Sequence, residues 1–367
     1  MKKILFTVTL SFFALRALSG ESLLWYEKPA PAHIKRPWLT ENREFTNKSN
    51  PDPNWEKYAL PIANGSLGAM IYGSIDEERI QFNEKSVWNG GPGTPGYVDG
   101  NRIGAWKAWR EVQELMLKGD KKQAGDLAPN IKGTQPYKVE PPYFGRYMTF
   151  GEMYIKTGIE PDSVKNYKRQ LDLETGIVSV GFKHNGDDYK RRYFASYPDN
   201  VIVMQFASTA KQELRFIWDS PHNITSSANN KTFNLHGKLA ENGLELAAGV
   251  RVLTDGDCSI SDNEIVVKNS KLVTFILSAD TSYLNQYPNY TGVKPLETTA
   301  EWLDKATSKG YHQLLKRHLA DYQELYQRVR LNLQANTSML PTDARVQAVK
   351  KGEIDTGLIE LHYNFGR

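Results

Sequence analysis

Residues 177–206 read IVSVGFKHNGDDYKRRYFASYPDNVIVMQF, and this stretch decides the fold. Residues 177–182 and 200–206 are short apolar runs rich in β-branched side chains, the signature of strands. Asn185-Gly186-Asp187 between them is a turn sequence. The same period of two holds from Tyr147 to Tyr283. KLVTFIL at 271–277 reads as another strand, and Asp255-Gly256-Asp257 as another turn. Many strands without intervening helices predict an antiparallel sandwich. No repeat of fixed period is visible.

Upstream, residues 59–92 read ALPIANGSLGAMIYGSIDEERIQFNEKSVWNGGP. Residues 67–72 and 79–82 look like two strands joined by a turn. Asn83, Glu84, Trp88 and Asn89 follow, leading into a loop rich in Gly and Pro as far as Gly96. An acid, amides and an indole at the end of a sheet suit a sugar-facing surface. The indole offers a flat apolar face, and the polar groups fix orientation. The competing reading is a buried hairpin in which Trp88 is core and Glu84 caps a turn.

Residues 101–118 carry Ile103, Trp106, Trp109, Val112, Leu115 and Met116 at spacings of three and four, predicting a helix. Gly119-Asp120 ends it and starts a second short helix to Leu127. The two Trp on one stripe are expected to be packing residues. Beyond Pro295 the helical period returns. Thr298 with Glu301 has the form of a capping box, and Gly310 interrupts the helix that follows. The next helix carries Leu315, Leu319, Tyr322, Tyr326 and Val329 on one stripe. Pro341-Thr342-Asp343 opens a third helix and Asp355-Thr356 a fourth. The fourth bears Leu358, Leu361 and Phe365, for which the sequence offers few partners, so it reads as a helical domain cut short.

The 367 residues leave room for one large or two ordinary domains. Residues 1–20 have the form of a secretory signal: Lys2 and Lys3, an apolar run at 4–15, then Ala17-Leu18-Ser19. The formal charge of +4 is largely that leader's, since Lys2, Lys3 and Arg16 lie in it and no acid does. The near-neutral remainder argues against nucleic acid or an anionic membrane as partner and suits a neutral glycan. Cys258 is the single cysteine, so no intrachain disulfide or thiolate metal cage can form, and it is expected to be buried. Export without disulfides fits a bacterial periplasm. No cofactor is expected. His312 and His318 lie six apart on a helix and diverge, and Gly90-Gly91-Pro92-Gly93 lacks the Lys-Ser/Thr of a phosphate loop.

Several ordered motifs resemble glycoside hydrolase family 95, the inverting α-L-fucosidases and their α-L-galactosidase relatives. They are Leu23-Leu24-Trp25-Tyr26, the run from Leu60 to Met70, Asn83-Glu84, and Trp88 to Pro92. Arg317-His318-Leu319-Ala320-Asp321-Tyr322-Gln323 and Leu340-Pro341-Thr342-Asp343 follow in order. The resemblance implies a mainly β chain: an antiparallel β-super-sandwich over 21–290, a helical linker over 291–340, and the first helix of an incomplete (α/α)6 barrel over 341–367. It implies cleavage of terminal L-fucose from glycans by an acid and a base that both lie in the barrel, so that no residue of this chain is catalytic. Asn83, Glu84, Trp88 and Asn89 would then line the substrate cleft or the domain interface. Other readings are a non-catalytic carbohydrate-binding sandwich, a remnant of an interrupted gene, or Glu84 as a catalytic acid in its own right. L-fucose and L-galactose are not distinguished, nor is the oligomeric state.

Overall fold

The structure is a computed structural model that describes residues 22–30, 53–91, 94, 104–131, 145–229, 232–333, 335 and 338–367. The proposed leader at 1–20 and part of the 89–96 loop lie outside the described residues. The strands are β1 (Leu23–Tyr26), β2 (Leu60–Ala63), β3 (Leu67–Ile71), β4 (Glu77–Glu84), β5 (Gly151–Lys156), β6 (Val164–Asp172) and β7 (Ile177–His184). They continue with β8 (Asp187–Ser196), β9 (Val201–Asp219), β10 (Asn223–Ala228), β11 (Phe233–Lys238), β12 (Glu245–Thr254), β13 (Asp257–Ile260) and β14 (Glu264–Thr281). Helices are α1 (Pro53–Tyr58), α2 (Ala105–Leu117), α3 (Lys121–Leu127), α4 (Pro295–Tyr326), α5 (Thr342–Lys350) and α6 (Thr356–Phe365).

Every pairing is antiparallel, as the period of two predicts. One path runs β1-β6-β7-β8-β9-β14-β12-β11-β10, and a second, β2-β3-β4-β5, joins it at β9. The two long strands belong to both. Val203 and Met204 pair with β8 and with the C-terminal half of β14, whereas Phe216 and Ile217 pair with β5 and with the N-terminal half of β14. The layers close on one core, in which Ile80, Phe82, Met153 and Ile155 meet Val178, Tyr193, Met204 and Phe275. Full burial of each such side chain contributes about 1.5–3 kcal/mol.

Sequence chemistry sets the turns. Asn185 and Gly186 both have positive φ, 50° and 90°, so the β7–β8 hairpin uses the turn whose twist matches its strands. The β3–β4 turn is pinned from below. Arg191 of β8 donates to Glu78 at 2.9 Å, to the Ile75 carbonyl at 2.9 Å and to the Ser74 carbonyl. Glu78 also accepts from Tyr193 and from the Gly73 amide. Burial raises the Glu78 carboxyl while Arg191 opposes it.

The helical expectations hold in part. α4 begins at Pro295, not at a Thr298 cap: proline at the first helical position sets φ and forfeits no bond, and Thr298 instead donates to the Lys294 carbonyl. Gly310, with φ 68°, breaks α4 as expected. Its second half buries Tyr311, Leu314 and His318, a stripe displaced from the one through Leu319. His318 is drawn in because both ring nitrogens meet carbonyls, of Ala195 at 3.1 Å and Thr175 at 2.8 Å.

Two other motifs prove to be clasps. Arg317 binds Asp199 at 3.0 Å, Tyr322 donates to the Leu173 carbonyl and Gln323 to that of Glu174. Thr342 accepts the Trp25 amide at 3.0 Å, so α5 covers the edge strand β1. The fourth helix is not bare. Asp355 caps α6 by accepting the Leu358 amide, Leu361 is buried in the main core, and Leu358 packs against it. Only Phe365 of that stripe is exposed.

Two further expectations fail. Cys258 is exposed, because β13 is a four-residue edge strand. Trp106 and Trp109 are also exposed: α2 buries no residue, since it packs on α3 and the following 3-10 turn Ala128–Ile131 rather than on the sheet.

Candidate functional site

β4 alternates outward and inward, so Glu78, Ile80, Phe82 and Glu84 all point into the sandwich. Glu84, at the strand end, is 3 % exposed. Its carboxylate accepts the Ser86 amide at 2.8 Å and the Ser86 hydroxyl at 2.5 Å. The Ser86 hydroxyl lies 2.5 Å from that of Thr281 at the end of β14. Glu84 therefore does cap a turn. Burial raises its carboxyl, and the neighbouring Asp280 adds to that. Asp280 is itself pushed up to about 6 by burial. Two acids reluctant to ionise thus sit together at one end of the sandwich.

Trp88 is not core: it is 43 % exposed. Its indole nitrogen donates to the Lys85 carbonyl at 3.1 Å, and its ring lies 5.6 Å from that of Tyr147 at an interplanar angle of 46°. The two residues form an isolated antiparallel bridge. Asn83 hydrogen-bonds the Tyr147 side chain, and its own Oδ1 accepts the Glu84 amide. Asn89 is buried and structural. Its Oδ1 accepts the Arg146 amide at 2.7 Å, its amide donates to the Arg146 carbonyl, and its Nδ2 reaches Glu241 at 3.5 Å. Asn242 donates to the Trp88 carbonyl at 2.8 Å.

These contacts form a neck. Residues 89–91 leave the sandwich beside residues 145–147, and the helical excursion α2–α3 hangs between the two. The neck is narrow because both sides are glycine. A Cβ on Gly145 would lie 2.6 Å from the Gly90 carbonyl carbon, and Gly145 has φ 73°. Asn89-Gly90-Gly91 thus serves close backbone approach.

The structure brings Asn83, Glu84, Trp88 and Asn89 to one corner and gives them different parts: two surface-facing groups, one buried acid and one clasp. Sequence reasoning missed Tyr147, Asp280 and Asn242, which lie far along the chain. The signal for Asp280 was a lone acid ending the apolar run of β14; for Tyr147 there was none. The corner presents an exposed aromatic pair beside the Asn83 amide, with the Glu84 carboxyl buried behind them, an arrangement able to stack on a sugar ring and hydrogen-bond its hydroxyls. Among the described residues no group of three or more His, Cys, Asp or Glu could hold a metal ion. A separate cavity of about 640 Å³ lies away from this corner, lined by Asn229, Arg251, Cys258, Ser259 and Thr307. Arg251 there is paired with Asp304 and Thr232.

Residues 24–286 match the model described as glycosyl hydrolase family 65, N-terminal domain, and residues 310–367 match that of the glycosyl hydrolase family 95 catalytic domain. Alpha-L-fucosidase 2 of Arabidopsis thaliana is 27 % identical over 355 residues, covering 86 % of this chain and 40 % of that protein. Probable alpha-fucosidase A of Aspergillus niger is 28 % identical over 295 residues, 75 % of this chain and 36 % of that protein. The chain thus spans well under half the length of these curated relatives. Among solved structures, a putative kojibiose phosphorylase from human microbiome covers 73 % of this chain and 35 % of its own at 11 % identity, with a TM-score of 0.44, too slight a likeness to bear on the fold. By the extent and order of these matches, the chain belongs to the glycoside hydrolases, with an N-terminal β-domain of the family 65 type over 24–286 followed by a stretch of the family 95 catalytic domain over 310–367.

Proposed function

We propose that this chain is the N-terminal part of an exported glycoside hydrolase that removes terminal L-fucose from glycans. The observation that carries the reading is the succession, in one chain, of the β-domain match and the catalytic-domain match, in the order of relatives named as α-fucosidases. In this reading the β-domain and α4 support the catalytic domain. The corner at Asn83, Trp88 and Tyr147 lines one side of the sugar cleft, with Glu84 and Asn89 holding it in shape from beneath. Inverting hydrolysis needs an acid for the leaving oxygen and a base to activate water. Glu84 suits neither role: its carboxylate is already engaged by Ser86 and is nearly sealed from solvent. The resemblance to family 95 assigns the acid and base to the catalytic domain beyond the residues present here. The leader at residues 1–20 would direct the protein to a bacterial periplasm.

The test is an assay for fucose release from 2′-fucosyllactose by the purified chain, beside a version extended through a full catalytic domain. Release by the longer version alone is expected. No release by either would overturn the substrate assignment. Turnover by the chain as given, abolished by Glu84→Gln, would move the active site into the sandwich. The exposed Trp88–Tyr147 pair favours a second reading, in which this portion binds glycan unaided. Quenching of tryptophan fluorescence by 2′-fucosyllactose, lost in Trp88→Ala, would support it.

A further inference from the structure

The outer face of α2 is apolar and exposed. Trp106 is 58 % exposed, Trp109 52 %, Met116 52 % and Leu117 88 %. At 100° per residue these four fall with Gln113 on one stripe, while Ala105, Ala108, Val112 and Leu115 form the adjoining, half-buried side, with Val112 at its border with the stripe. Trp106, Trp109, Gln113 and Met116 stand at spacings of three, four and three, the a/d register of a helix that pairs with another helix. An open groove of about 630 Å³ runs along this face, lined by Trp109, Val112, Gln113, Met116 and Leu117 with Arg110 and Glu114 at its side.

On the flank beside the stripe, Lys107 and Arg110 occupy the N-terminal half and Glu111 and Glu114 the C-terminal half, with Lys118 following at the C-cap. None of the four makes an ion pair among the described residues, and both cations lie over the Trp106 ring, at 5.7 Å and 5.2 Å. Such a row complements its own reverse. In an antiparallel pair of identical helices the same flank meets itself head to tail. Setting Trp106 against Met116 of the second copy, and Trp109 against Gln113, places Lys107 beside Glu114.

We propose that α2 is a self-association surface on which two copies of this chain pair through antiparallel α2 helices. A helix of this length, about 20 Å, buries less than the roughly 1,200 Å² in total that marks the low end of stable interfaces. The pairing is accordingly weak and concentration-dependent.

Sedimentation velocity across a range of protein concentrations tests this on the full chain. A rise toward twice the monomer mass at high concentration is expected, lost in Trp106→Ser/Trp109→Ser. Lys107→Glu alone and Glu114→Lys alone should each weaken association roughly fivefold, and the two together should restore it. All these positions are solvent-exposed, so far-UV circular dichroism and thermal unfolding should be unchanged in every variant. A monomer at all concentrations would overturn the proposal and assign the face to another element of the protein or to another partner. A dimer that survives the double Trp variant, or in which the paired charge swap fails to restore what each single swap removes, would overturn it as well.

Discussion

Gly145→Ala tests the neck of the excursion directly. The new methyl would meet three backbone atoms of Gly90 at 2.6–2.8 Å, and backbone cannot rotate aside. The φ of 73° adds a second cost, of about 1 kcal/mol, for alanine in the left-handed region. Overpacking of this kind typically costs about 1–3 kcal/mol, so the sum is roughly 2–4 kcal/mol. The neck can relieve it by opening, which breaks the Asn89–Arg146 pair and frees Trp88 from Tyr147 without unfolding the sandwich. Hydrogen exchange reads such opening. The amides of Asn89 and Arg146 should exchange at least about 30-fold faster, while those of Val203 and Phe275 in the core should keep their protection. Gly158→Ala is the control. Gly158 has φ 69° but nothing within 4 Å of a Cβ, so it bears the backbone cost alone. If Gly145→Ala is no more disruptive than Gly158→Ala, the close approach is not what holds the neck, and the account of Asn89-Gly90-Gly91 is wrong.

Asp280, pushed up to about 6, binds its proton more tightly folded than unfolded, so its ionisation erodes stability as pH rises from about 4 to about 6. Asp280→Asn should therefore raise the melting temperature at pH 7.5, and the gain should vanish below about pH 4, as followed by thermal unfolding across pH. Leu361→Ala should cost about 2–5 kcal/mol in urea denaturation, because it leaves a cavity in the main core; no loss would mean that α6 is not docked on the β-domain. Arg191→Met leaves Glu78 buried without its cation and should cost roughly 3–5 kcal/mol by the same measurement, with most of it recovered in Arg191→Met/Glu78→Gln.

Local chemistry was legible where it had no competitor. The strands at 177–182, 200–206 and 271–277, the Asn185-Gly186 turn and the break at Gly310 all follow from the residues themselves. What escaped was decided by partners distant in the chain. Pro295 moved the start of α4 away from Thr298. His318 displaced Leu319 from the buried stripe because two carbonyls, more than 120 residues upstream, await its ring nitrogens. Trp106 and Trp109 have helical periodicity, but periodicity says only that a face is apolar and not what covers it. At the candidate site the residues quoted from 83 to 89 do gather at one corner. Tyr147 and Asp280 arrive there through a bridge and a strand end that no short-range pattern encodes. The motifs that carried the family resemblance, Arg317 to Gln323 and Leu340 to Asp343, turn out to fasten helices onto the sheet.

The sharing of β9 and β14 between both layers has a consequence for how the molecule is made. A sandwich of two separate sheets can assemble one sheet and then the other. Here each half of β9 needs a different neighbour, β8 or β5, and both halves need β14, which follows more than forty residues later. Neither layer can be completed before residues 264–281 have left the ribosome, and loop closures of that span slow folding. Until then the nascent chain carries long unpaired strand edges, the form most prone to wrong pairing. Once closed, the same arrangement removes any route for one layer to melt without the other, and the β-domain should unfold in a single transition.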